Sequence, residues 1–163
     1  MAPEFSIQAE RPDQPEVVAL LDALDHYLAS LYAPEDNHIL DVQALLAPSV
    51  RFLVARLNGQ AVGCGAVRLM PGESDTAGRP YGEIKRMYVA PAQRGQRLAE
   101  QLLQRLEQPL RDEGIALALL ETGGEQRQAV RLYERCGYTQ CAPFGGYPDN
   151  GRSLFYAKTL SPQ

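Results

Sequence analysis

The chain has 163 residues, 45% hydrophobic and 22% charged, with a formal net charge of −4. That length suits one domain spanning residues 1–163, which on folding buries roughly 70% of its unfolded surface without a disulfide or metal staple, and the composition excludes disorder. The acidic balance argues against a nucleic-acid partner, and the longest apolar run, Ile115–Leu120, is far too short to span a bilayer.

Phe5–Glu10 alternates apolar and polar residues, as a first strand does. From Pro15, apolar residues recur every three or four positions through Leu31, an amphipathic helix with Asp13 as its expected cap. Tyr32–His38 reads as a turn, and Ile39–Ala47 as a short second helix stopped near Pro48. Val50–Leu57 and Gln60–Leu69 are β-rich and joined by Asn58-Gly59, so they form a hairpin. Pro71–Pro80 is a polar loop, expected to be mobile, and Tyr81–Val89 is a further strand.

Gln96–Asp112 carries Leu98, Ala99, Leu102, Leu103, Leu106 and Leu110 on one helical face, with Gly114 as its stop and Pro109 expected to kink its last turn. Ile115–Glu121 suits a central strand covered on both faces. Glu125–Cys136 forms a last helix ended by Gly137, with Ala129, Leu132 and Tyr133 inward. Strands at Tyr138–Cys141 and Ser153–Leu160 follow, separated by a Gly/Pro-rich loop. The order β-α-α-β-β-β-α-β-α-β-β defines an α/β (α+β) layered fold.

The stretch Met87-Tyr88-Val89-Ala90-Pro91-Ala92-Gln93-Arg94-Gly95-Gln96-Arg97-Leu98-Ala99 concentrates the chemistry. A strand ends, a loop with one glycine and two arginines follows, and a helix begins. The first amides of a helix have no internal partner and attract negative charge, so this turn suits a phosphate or pyrophosphate; a plain turn with solvated arginines is the alternative. It is neither a Walker loop nor a dinucleotide fingerprint, because Gly63-Cys64-Gly65 lies inside a strand, where it marks a bulge or close packing. Cys64, Cys136 and Cys141 are odd in number with no C-x-x-C. They read as buried or half-buried free thiols of a reducing cytoplasm, with no metal site.

With Arg94–Ala99 and Ala129–Tyr138 as its sharpest segments, the chain resembles the GNAT superfamily of acetyl-CoA-dependent N-acetyltransferases over essentially its whole length. Gly82–Lys85, Leu120–Gly123 and Pro143-Phe144 are similar to a branch of small bacterial members. The resemblance implies a mixed, mostly antiparallel sheet flanked by helices, and acetyl-CoA as co-substrate. The co-substrate would lie in a V-shaped gap between the strand ending at Val89 and the strand containing Glu121.

Met87, Tyr88, Val89, Arg94, Gly95, Gln96, Arg97, Leu98 and Ala99 are then the cofactor-binding residues, Val89 through its backbone N–H. Arg97 stands where the family usually has glycine; it is expected to hold an ordinary backbone conformation and to offer its guanidinium to a phosphate. Tyr133 matches the tyrosine that protonates the departing sulfur, whereas periodicity alone makes it a core residue. The base is Glu83, Glu121 or water, with a structural salt bridge as the rival reading of either carboxylate. Tyr32, Asn37, His38, Phe144 and Tyr147 are the acceptor-side candidates. Two other readings stand beside amine acetylation: a non-catalytic acyl-CoA-binding regulatory module, and a protein binding another phosphate ligand. The expected partners are an amine, small or protein-borne, with no nucleic acid or membrane. A homodimer is left open. The first residues lack the basic and apolar segments of a secretory leader, which fits the cytoplasmic expectation.

Overall fold

The computed structural model describes residues 4–161. Seven strands form one sheet in the order β1-β2-β3-β4-β5-β7-β6. They are β1 (Phe5–Ala9), β2 (Val50–Leu57), β3 (Gln60–Met70), β4 (Tyr81–Val89), β5 (Leu117–Gly123), β6 (Thr139–Cys141) and β7 (Ser153–Thr159). Every neighbouring pair is antiparallel except β4 and β5. The helices are α1 (Pro15–Leu31), α2 (Val42–Leu45), α3 (Leu98–Asp112) and α4 (Arg127–Arg135).

The leucine stripe of α3 explains one face of the sheet. Leu98, Leu102, Leu103, Leu106 and Leu110 pack against Val67, Ile84, Ala118 and Leu120, joined by Tyr133 of α4. Gly63 and Gly65 let α3 approach β3: a Cβ on Gly65 would come within 2.8 Å of Leu106 and 2.7 Å of the Met87 sulfur. The opposite face has two covers. Val17, Leu20 and Leu21 of α1 and Leu45 of α2 pack on Phe52, Val54, Cys64 and Ala66. Farther along, Phe144, from the loop after β6, packs on Tyr81, Leu119 and Phe155. A cleft remains between the two covers.

Several local expectations change. The cap of α1 is Gln14, because Asp13 is taken by the Arg11 guanidinium at 2.8 and 3.0 Å. The second helix shrinks to Val42–Leu45, capped where the Asp41 carboxylate accepts the Ala44 amide at 2.8 Å. Helix α3 runs through Pro109 to Asp112, since a proline in the last turn removes only one late hydrogen bond. The 71–80 loop is pinned rather than loose. Its Ser74–Thr76 turn is capped by Glu73, whose carboxylate also accepts from the Tyr81 hydroxyl and the Gly145 amide.

Two features open the sheet beside β5. The β4–β5 ladder covers only Gly82–Ile84 against Ala118–Leu120, although β4 stays paired with β3 to Val89 and β5 with β7 to Gly123. Beyond Ile84 the two strands part. A bulge in β4 falls at this point: the register with β3 shifts between Cys64/Tyr88 and Ala66/Lys85, and Arg86 takes φ +58°. Left-handed backbone costs a non-glycine residue about 1–2 kcal/mol, so other contacts must hold Arg86 there. Its buried guanidinium is ion-paired with Asp25 of α1 and donates to the Leu21 carbonyl at 3.3 Å.

Candidate active site

Two concavities lie beside the stretch where β4 and β5 part. One is a groove of about 360 Å³ along the α3–α4 side, lined by Met87, Tyr88, Val89, Arg94, Gly95, Arg97, Leu98 and Ala99, with Ala129, Leu132 and Arg135 of α4 across from them. Of the sequence-selected cofactor residues only Gln96 is missing from its wall. The backbone explains why this turn suits an anion. None of the six successive amides from Gly95 to Glu100 has an acceptor among the described residues; the first helical bond of α3 is Gln101 N–H to Arg97 carbonyl. Six open donors at a helix N-terminus, with three arginines around them, suit a pyrophosphate.

Arg97 departs from expectation. It takes φ +62°, ψ +20°, the left-handed conformation glycine favours, and forms the N-cap of α3. The turn thus keeps the geometry a glycine would give it, at a strain of about 1–2 kcal/mol. Gly95, at φ +85°, supplies the other left-handed position without that cost. Arg94 donates to the Val89 carbonyl at 3.1 Å and lies over the Tyr88 ring, bracing the turn against the end of β4.

The second concavity is a cavity of about 100 Å³ on the α1 side, lined by Tyr32, Asn37, His38, Lys85, Arg86, Met87, Glu121, Gly123, Tyr133 and Ser153, among others. Met87, within the β4 bulge, belongs to both walls. Gly123 is needed there, because a Cβ would fall 1.6 Å from the Tyr32 hydroxyl.

Tyr133 is 8% exposed, and its ring packs edge-on against Tyr138. Its hydroxyl has no hydrogen-bond partner among the described residues, and burial pushes its pKa up to about 12. A core ring and a cavity-lining hydroxyl are thus combined in one side chain.

The two strand carboxylates separate. Glu121 lines the cavity and accepts two hydrogen bonds on Oε2, from His38 Nδ1 at 2.6 Å and from the Ser153 hydroxyl at 2.7 Å. Glu83 does not line it. At 1% exposure it is held by Arg68 at 2.8 Å on Oε1 and by the Tyr147 hydroxyl on Oε2. Lys85 donates to Tyr147 at 2.7 Å and to the His38 carbonyl at 3.3 Å; burial lowers its pKa, against the opposing pull of Glu83 and Glu121. Of the acceptor-side candidates, Tyr147 does not line the cavity but bonds Glu83 and packs on the His38 ring, while Phe144 is a core residue at 2% exposure.

Sequence reasoning missed Arg86, Asp25, Lys85, Arg68 and Ser153. Only a basic residue inside an apolar strand hinted at Lys85 and Arg86. The remaining partners meet through long-range packing with no local pattern. All three thiols are free, Cys64 buried and the others half-buried. Among the described residues, no group of three or more His, Cys, Asp or Glu is arranged to hold a metal, and no helix is long and apolar enough to cross a membrane.

Comparisons with known proteins identify the family and the fold. The model of the acetyltransferase (GNAT) family matches residues 17–138. An IAA acetyltransferase of Azospirillum brasilense is 45% identical over 158 residues, covering 97% of this chain and 99% of that protein. YsnE of Bacillus subtilis, an uncharacterized N-acetyltransferase, is 31% identical over 89% of this chain and 93% of its own. Among solved structures, a Klebsiella pneumoniae protein described as an acyl-CoA N-acyltransferase superposes with a TM-score of 0.79 at 35% identity, over 96% of this chain and 98% of that one. A Thermoplasma acidophilum N-acetyltransferase solved with coenzyme A shares the fold at TM-score 0.70 and 13% identity. The parted strands, the open amides and these relatives converge: the chain belongs to the GNAT acetyltransferase family and is an acyltransferase.

Proposed function

We propose that the protein transfers the acetyl group of acetyl-CoA to a primary amine by direct attack. One observation carries the reading: where β4 and β5 part, an anion-ready groove and a small cavity lined by Tyr133 and Glu121 share Met87 as a common wall. The co-substrate supplies an activated acetyl thioester. The amides of Gly95–Glu100 and the flanking arginines hold its pyrophosphate, and the walls formed by Met87–Val89 and α4 guide its arm toward the bulge. The acetyltransferase names of the relatives at 45% and 31% identity support acetyl as the group moved.

Attack needs a neutral nitrogen, and a free alkylamine has a pKa near ~10.4, so the acceptor must lose a proton in the cavity. Glu121 rather than Glu83 is the carboxylate on that side. Glu83 does not line the cavity and is held by Arg68 and Tyr147. The Tyr133 hydroxyl, unbonded and still protonated at neutral pH, is the donor for the leaving sulfur. A cavity of about 100 Å³ accepts a small amine or the tip of a longer one.

The test is thermal stability with acetyl-CoA, CoA and ATP, followed by thiol release with an amine panel. Acetyl-CoA and CoA should raise the melting temperature and ATP should not, because a ligand that binds only the native state stabilises it. Thiol release should then depend on the amine. Stabilisation without amine-dependent release would favour a non-catalytic acyl-CoA module. Equal stabilisation by ATP would favour a general phosphate site.

A further inference from the structure

We propose that His38 is the base that takes the acceptor's proton, held in the required tautomer by Glu121. The proposal rests on the acetyl-transfer reading and assigns its missing proton acceptor. His38 follows the turn after α1, and its ring lines the cavity at 20% side-chain exposure. Its Nδ1 lies 2.6 Å from Glu121 Oε2, whose side chain is 13% exposed. A carboxylate oxygen can only accept, and Ser153 already donates to the same oxygen. Nδ1 therefore carries the hydrogen, and the neutral ring keeps its lone pair on Nε2. Nε2 has no partner among the described residues and is not sealed off from the cavity.

Two further contacts hold His38 in place. Lys85 donates to the His38 carbonyl at 3.3 Å, and Tyr147 packs against the imidazole with centroids 5.1 Å apart. Glu121 itself is set by the β5–β7 ladder, where it lies opposite Phe155. A base oriented through its second nitrogen by a carboxylate is the arrangement that activates nucleophiles at many unrelated sites. The charged and titratable groups around His38 are Tyr32 and Asp36 from the end of α1 and the turn after it, Lys85 and Arg86 from β4, Glu121 from β5, Tyr133 from α4, and Tyr147 and Arg152 from the loop after β6. None of the others lies within hydrogen-bond reach of its ring nitrogens; Glu121 alone does.

The step balances as follows. His38 Nε2 takes one proton from the bound ammonium and passes it to water, exposing the nitrogen lone pair. The N–C bond forms as the C–S bond breaks. The nitrogen gives its second proton to water, and the Tyr133 hydroxyl supplies one to the sulfur and is reprotonated from solvent. One proton is released for each amide formed.

The tautomer is readable without turnover. The chain has two histidines, and His26 is exposed on α1, away from the cavity, so a 15N-labelled His26→Gln protein reports His38 alone. At a pH where the ring is neutral, nitrogen spectra should show a protonated Nδ1 and a bare Nε2. Glu121→Ala should shift the population toward the Nε2–H form. A wild-type ring protonated mainly on Nε2 would overturn the proposal.

Kinetics supply the second arm, with 2-aminoethanol and hydroxylamine as small probes. The first is an ammonium at neutral pH and needs a base; the second is already neutral. His38→Gln should lower kcat/KM at least about 100-fold for 2-aminoethanol but less than about tenfold for hydroxylamine, with the acetyl-CoA thermal shift retained. Equal losses for both amines, or none for either, would overturn it. A wild-type protein that acetyl-CoA does not stabilise would count against acetyl transfer itself, whereas the tautomer readout stands apart from that result.

Discussion

The groove and the cavity are built by opposite means. The groove is lined at its turn by backbone donors: six consecutive amides with no acceptor among the described residues, shaped by left-handed residues at Gly95 and Arg97. The cavity is lined by side chains that converge from α1's following turn, β4, β5, α4 and the loop before β7. Backbone donors in a short turn tolerate sequence change as long as the conformation survives, which is why arginine at position 97 leaves the turn intact. Side-chain networks do not, because each buried charge depends on its partner. Under the proposed function, the groove is the shared, substrate-independent half of the site, and the cavity the half that carries specificity and proton traffic.

Beyond His38, the largest expected effect lies at Tyr133 in the cavity wall. Tyr133→Phe removes one hydroxyl and keeps the ring packed, so kcat should fall at least about tenfold, and general acid catalysis allows ~10²–10⁴. Acetyl-CoA affinity and melting temperature should barely move, because a thioester sulfur accepts a hydrogen bond well only as charge develops on it. The reverse pattern, altered stability with untouched chemistry, would make Tyr133 a core residue only. Its pKa near 12 adds a sign. The folded state holds this proton more tightly than the unfolded chain, so the group contributes to stability below its ordinary value near 10 and loses that contribution as pH rises toward 12. Over the same range it stays a competent donor, and a kcat profile should show no alkaline loss from Tyr133 below about pH 10.

The paired carboxylates give the next contrast. Glu83→Gln deprives Arg68 and Tyr147 of a charged acceptor and should cost about 1–3 kcal/mol of stability, with acetyl-CoA affinity unchanged. Glu121→Gln should do less to stability and more to turnover. Denaturation and steady-state kinetics on both variants decide it, and a rate-crippled but fully stable Glu83→Gln would break the assignment.

Smaller effects belong to the groove. A β-branched residue at Gly95 must either adopt φ +85° or refold the turn, and Gly95→Val should weaken CoA binding about tenfold in a calorimetric titration. Arg97→Gly should be the mildest, with stability unchanged or raised by up to about 1 kcal/mol and CoA affinity lowered only a few-fold. A collapse of CoA binding in Arg97→Gly would show that the guanidinium, not the backbone, holds the pyrophosphate.

How legible each region was follows from the same contrast. The leucine stripe of α3, the Asn58-Gly59 hairpin and the apolar run of β5 are local patterns, and each became the element it suggested. The groove was legible because its residues are contiguous from Met87 to Ala99. Glu83 and Glu121 looked alike in sequence, each a carboxylate in an apolar strand. Their difference arises from Tyr147 and Arg68 around one and His38 and Ser153 around the other, none of them sequence neighbours. Conformation at Arg97 was misjudged for a related reason: the turn as a whole, not the intrinsic preference of one residue, sets its φ. The defined path of residues 71–80 came from Glu73 reaching Gly145, a contact between two loops that composition alone describes only as polar.

A crystal structure of the protein with CoA tests the central claim most directly, because the claim is that one ligand threads from the groove to the cavity through the gap beside β5. The account predicts pyrophosphate oxygens on amides between Gly95 and Glu100, and the thiol within hydrogen-bond reach of the Tyr133 hydroxyl. A pyrophosphate bound elsewhere, or a thiol directed away from Tyr133 and the cavity that holds His38 and Glu121, would contradict it.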